Sequence, residues 1–94
     1  MTMIKAVTRV TEDEKIIEIS KILTAWNPLG ELAATMKDLD NYQTEAVDIM
    51  SVINLYGYSP KKAVSEIIRE AFLIDLEKTE LDHFSSKIKA VLEK

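Results

Sequence analysis

Apolar residues recur three and four positions apart in four separate stretches of this chain, and each stretch is bracketed by residues that start or stop helices. That pattern is the strongest constraint available. An amphipathic helix can hide its apolar stripe only against another element, and no alternating strand pattern competes for the role.

The first stripe is Ile16, Ile19, Ile22, Leu23 and Trp26, which share an arc of about 120° at roughly 100° per residue, with Ile17 off it. Thr11-Glu12-Asp13-Glu14 ahead of it reads as a capping box, and its three acids suit the positive end of the helix dipole. Pro28 disfavours helical geometry at Asn27, so the helix is predicted to stop near Trp26. Asn27-Pro28-Leu29-Gly30 is the clearest turn in the chain. Residues 31–37 fit one helical turn or a loop.

The second helix is predicted to begin at Asp38 or Asp40, with Asp40 and Gln43 forming a reciprocal cap. Its broad apolar face comprises Tyr42, Ala46, Ile49, Met50, Val52, Ile53 and Tyr56, which makes it the central helix. Gly57 is placed to end it in a left-handed cap, followed by Tyr58. Ser59-Pro60 then starts the third helix, a hydroxyl cap followed by proline where its missing N–H costs nothing. Ala63, Val64, Ile67, Ile68 and Ala71 give its stripe, which loses phase between Phe72 and Leu76, so the helix is expected to bend or end near 74–77. Thr79 is the expected cap of the fourth helix, whose stripe is Leu81, Phe84, Ile88, Val91 and Leu92. The expected fold is therefore all-α: an irregular four-helix bundle over residues 11–94, preceded by a short β-branched arm, residues 1–10, that is poorly ordered or laid on the surface. A chain of this size leaves enough surface uncovered for a homodimer to form over a spare apolar face.

Composition removes many functions. There is no cysteine, which excludes disulfide frameworks, thiolate metal sites and thiol catalysis, and one histidine excludes a two-histidine metal centre. Two glycines leave no phosphate-cradling loop. The longest apolar runs are four residues, such as Ala71-Phe72-Leu73-Ile74, far below the roughly 20 that span a bilayer. The opening residues carry no secretory pattern, so the expected compartment is the cytoplasm. Neither a membrane nor a cofactor is expected.

Net charge is −4, and it is unevenly placed. Residues 1–30 and 58–94 each balance, whereas residues 31–57 set Lys37 alone against Glu31, Asp38, Asp40, Glu45 and Asp48. This reads either as a solvated helix face whose acids complement a dipole or as an acidic surface for a basic partner. A calcium loop starting at Asp38 fails, because Gln43 and Ile49 stand where glycine and glutamate are required. Glu45 falls at the border of the apolar face, between Val52 and Tyr56, and needs water or donors there. The amides of the Asn27–Gly30 turn and the Trp26 indole are the expected donors. As a general base it lacks a visible second group. His83 points away from its stripe, Ser59 reads as a cap, and Lys61-Lys62 is the only adjacent basic pair. A net acidic chain without a basic, aromatic-bearing stripe argues against nucleic acid.

The string Ile22-Leu23-Thr24-Ala25-Trp26-Asn27-Pro28-Leu29-Gly30, followed by Asn41-Tyr42-Gln43-Thr44-Glu45, resembles the YugE-like family of small bacterial proteins of unknown function. Members carry a helix ending in tryptophan, then Asn or Asp, proline and glycine, and a tyrosine with a glutamate three residues on. The likeness covers roughly residues 14–92. Where members often have an acidic pair before the tyrosine, this chain has Asp40-Asn41. The resemblance implies a bacterial origin and a compact helical fold, and no activity.

These readings lead to a non-enzymatic interaction or regulatory module with a protein partner, a basic one. An acidic immunity-type protein that neutralises a basic toxin or nuclease is the narrower alternative. A small-ligand binder, with a pocket near Trp26, Glu45 and Tyr56, is the third. The candidate binding residues are Trp26, Asp38, Asp40, Glu45, Asp48 and Tyr56; no catalytic or metal-ligating residue is expected.

Overall fold

A computed structural model describes residues 12–36 and 39–93. The arm, the Thr11 cap, Asp38 and Lys94 lie outside these. Four helices form where the stripes place them: α1 (Glu12–Trp26), α2 (Gln43–Tyr56), α3 (Pro60–Phe72) and α4 (Lys78–Leu92). The described residues include no strand, and the fold is an all-α bundle.

The helices pack in a ring, each touching its chain neighbours, with α4 closing back on α1. Contacts at both ends of α1 set directions. Asn54 Nδ2, near the end of α2, donates to Glu12 Oε2 at 3.1 Å, while Ser20 and Thr24 reach Asn41 just ahead of α2. Lys15 donates to the Leu92 carbonyl at 3.3 Å, and the Trp26 indole N–H donates to Glu80 Oε1 at 3.0 Å. Both α2 and α4 therefore run antiparallel to α1.

The core contains Ile19 and Leu23 of α1, Ala46, Ile49 and Met50 of α2, Ala63, Val64, Ile67 and Ile68 of α3, and Leu81, Ile88 and Val91 of α4. Each burial removes apolar area from water at roughly 25 cal/mol per Å2. Ile17 stays half-exposed, as its phase requires. Ala71 is exposed, because α3 ends only one residue beyond it.

Boundaries follow local chemistry. Asn27 takes a left-handed φ of 52° after Trp26, and Gly30 one of 58°. A short 3₁₀ segment, Gly30–Thr35, follows. Gly57 closes α2 with φ 70°, its N–H bonding the Ile53 carbonyl, a conformation that needs no Cβ. Ser59 Oγ accepts the Lys62 amide at 3.2 Å ahead of Pro60. The cap of α4 is Glu77 rather than Thr79: its carboxylate accepts the amides of Thr79 at 3.0 Å and Glu80 at 2.9 Å. Those amides hold the Glu77 carboxyl below the usual carboxylate range. A carboxylate two residues upstream outcompetes a hydroxyl for exposed amides at the positive helix end.

Helix α3 stops at Phe72 because Leu73 turns left-handed, with φ 60°, while 86% exposed. A non-glycine residue there costs roughly 1–2 kcal/mol, and glycine loosens the unfolded chain by roughly 0.4–1 kcal/mol. Leu73→Gly is expected to raise stability in urea denaturation by about 0.5–1 kcal/mol. A net loss would show that the Leu73 side chain holds the α3–α4 connection.

Candidate functional site

The approach to α2 is where the structure departs furthest from helical convention. Asp40, Asn41 and Tyr42 take φ values of 46°, 56° and 61°, one left-handed turn of three non-glycine residues. Asp and Asn tolerate this region best; tyrosine does not. The expected Asp40–Gln43 cap is therefore absent. Tyr42 occupies the N-cap position of α2 without a side-chain cap bond, since an Asp40 already wound left-handed lies outside the geometry that a reciprocal cap needs.

Contacts from outside the turn hold it. The Asn41 carbonyl accepts Ser20 Oγ at 2.7 Å and Thr24 Oγ1 at 2.9 Å, both from α1. Tyr42 is 2% exposed. Its hydroxyl donates to Asn27 Oδ1 at 2.6 Å and accepts the Leu29 amide at 3.3 Å. Its ring stands edge-on to Phe72 at 6.5 Å. Burial pushes the Tyr42 phenol up; the Leu29 amide opposes this and the Glu45 charge adds to it. Beside the turn, a cavity of about 140 Å3 is lined by Ile16, Ile17, Ser20, Asp40, Asn41 and Gln43.

Glu45 sits inside the bundle, 8% exposed, rather than at its border. One carboxylate oxygen, Oε1, has no hydrogen-bond partner among the described residues. Its expected donors are engaged elsewhere: the Leu29 amide with Tyr42, the Trp26 indole with Glu80. Burial raises the Glu45 pKa, its own backbone amide opposes this, and Asp48 one turn away raises it further. The carboxyl is thus held toward its neutral form.

The remaining candidates scatter. Trp26 is half-buried and stacks on Phe84 at 4.7 Å, in the α1–α4 contact. Asp48 and Asp40 are exposed. Tyr56 is 69% exposed, tilted toward Tyr58 at 6.0 Å, instead of lying on the core face. It occupies the last turn of α2, with too little of the neighbouring helices beyond to cover it. Glu45 and Tyr56 are eleven residues apart on one helix, about 16 Å along its axis, and Trp26 faces α4. The pocket expected near Trp26, Glu45 and Tyr56 is not assembled.

His83 is exposed and edge-on to Phe84 at 4.8 Å. Among the described residues no group of three or more His, Cys, Asp or Glu is placed to hold a metal ion. The Asn27–Tyr42–Leu29 bridge went unread in the sequence. Its signal is a buried tyrosine fifteen residues after a turn asparagine, too general to single out. Compared with family models, curated proteins and solved structures, the chain matches none.

A folded-state pKa raised above the unfolded value favours the fold where the carboxyl is protonated. Stability from Glu45 is fully present below the ordinary glutamate range and is lost as pH rises through the raised value. Glu45→Gln keeps the shape without the charge. Urea denaturation is expected to show Glu45→Gln more stable than the parent at neutral pH, with the gap closing on acidification. An equal gap at every pH would contradict a Glu45 carboxyl whose burial raises its pKa.

Proposed function

We propose that this chain is a non-enzymatic protein–protein interaction or regulatory module of the bacterial cytoplasm, and that it engages a basic partner through its α1–α2 half. The bacterial setting rests on the resemblance to the YugE-like family. The observation that carries the reading is the division of charge across the bundle. Residues 1–57 hold nine Asp and Glu against four Lys and one Arg, a net −4, whereas residues 58–94 balance at seven each. Glu12, Asp13, Glu14, Glu31, Asp40 and Asp48 are all exposed. A field of one sign raises the encounter rate with an oppositely charged partner and disfavours like-charged ones.

Charge alone gives steering rather than affinity, which needs desolvated apolar anchors. The same half supplies them: Ile17 on α1 and Val47 and Leu55 on α2 are exposed among the acids. Several polar groups elsewhere have structural duties. Ser59 caps α3, Glu77 caps α4, and Lys61 pairs with Asp82 at 2.6 Å. Glu45, the one buried acid among the described residues, has the Asp48 carboxylate one turn away. A basic toxin or nuclease is the narrowest form such a partner takes. No helix among the described residues is long and apolar enough to cross a membrane.

The test is capture from a bacterial lysate by the immobilised full chain at low and at moderate ionic strength. A parallel capture uses the chain carrying Asp13→Asn, Glu31→Gln and Asp48→Asn. A basic protein is expected on the parent at low ionic strength, less at moderate ionic strength because exposed charges are screened, and less on the variant. Recovery of nothing specific at either strength, or equal recovery by the variant, would overturn the reading.

A further inference from the structure

We propose that the cavity between α1 and the left-handed turn receives a single lysine or arginine side chain of a basic partner protein. This rests on the interaction reading above and adds where on the acidic half the contact is centred.

The size comes first. At about 140 Å3 the cavity is well below the roughly 300 Å3 at which small-molecule sites begin, so it suits one side chain rather than a metabolite. Its lining combines the apolar and polar side chains that a long cationic side chain requires. Ile16 and Ile17 supply its aliphatic lining, and Ile17 is 51% exposed. Lysine and arginine lay their methylene stems on such surfaces while the charged head stays in polar surroundings. Asp40, Asn41 and Gln43 also line it, residues whose side chains offer a carboxylate and amide oxygens as hydrogen-bond acceptors. A carboxylate meeting an ammonium or guanidinium makes the strong, charge-assisted kind of bond.

The charges around the cavity agree. Asp40 is exposed and makes no ion pair with a described residue, and no described Lys or Arg lines the cavity. Lys21, next to Ser20 on α1, is paired with Glu18 at 3.5 Å. Ser20 is committed to the Asn41 carbonyl, so it fixes the rim instead of serving as a ligand. Three consecutive left-handed residues are costly, and they persist here because α1 and the Tyr42 bridge pin them from both sides. That anchorage holds Asp40 and Asn41 in place at the mouth of the cavity before any partner arrives, which lowers the ordering cost of binding.

The experiment titrates the full 15N-labelled chain with an acetylated, amidated hexalysine peptide at low ionic strength, reading amide shifts. Saturable changes are expected to concentrate at Ile17, Ser20, Asn41 and Gln43. Asp40→Asn, which keeps a residue tolerant of the left-handed region, is expected to weaken binding about fivefold, the scale of one partly screened charged contact. Glu70→Gln, at an exposed acid of α3 outside the acidic half, is expected to leave affinity within about twofold. Shifts spread along Glu12–Glu18 and Asp48, with Asp40→Asn no weaker than the parent, would overturn the side-chain site and leave the acidic-half reading standing. No saturable binding by the parent would overturn both.

Discussion

The hydroxyl of Tyr42 joins the two ends of the one long connection in this fold. It donates to Asn27, the first residue after α1, and accepts the amide of Leu29, while its own residue opens α2. Without that bridge, the sixteen residues between Trp26 and Gln43 would be tied to the bundle mainly by Leu29, Ala33 and Leu39 packed on the core and by the hydroxyls of Ser20 and Thr24. With it, the chain leaves α1, passes through a 3₁₀ segment and re-enters the bundle in one defined place. The bridge also bears on the fate of Glu45. Seating Tyr42 in the core sets the first turn of α2 inside the bundle, and Glu45 is carried in with it.

Much of this architecture is legible in the residues because local and tertiary preferences agree. Ser59-Pro60 starts α3, Gly57 ends α2, and the stripes of α1, α3 and α4 point inward as their spacing requires. Elements whose geometry is decided by distant contacts are not legible in the same way. Nothing in Asp40-Asn41-Tyr42 specifies a left-handed turn; α1 imposes it from some twenty residues away through Ser20 and Thr24. Thr79 has the composition of a cap, yet Glu77 reaches the free amides first.

Glu45 and Tyr56 show the limit of a helical wheel most clearly. They lie in the same angular sector of α2, and the wheel treats them alike. The structure buries the first at 8% exposure and leaves the second at 69%, because the sector is covered at one end of the helix and bare at the other. A projection down the axis discards the coordinate that separates them. The candidate site inherits this division: acids that were grouped by sequence segment divide into a buried, neutral-leaning Glu45 and exposed residues such as Asp40 and Asp48. Only the exposed set can meet a partner, and it is Asp40 that lines a cavity.

If the Tyr42 bridge organises the connection, its two partners must be energetically coupled. A double-mutant cycle of Tyr42→Phe and Asn27→Gly, which preserves the left-handed φ at position 27, measures that coupling by urea denaturation. The structure predicts a coupling energy of about 1 kcal/mol, the scale of a buried hydrogen bond. Losses that add to within about 0.3 kcal/mol would contradict it, because the two side chains would then act independently.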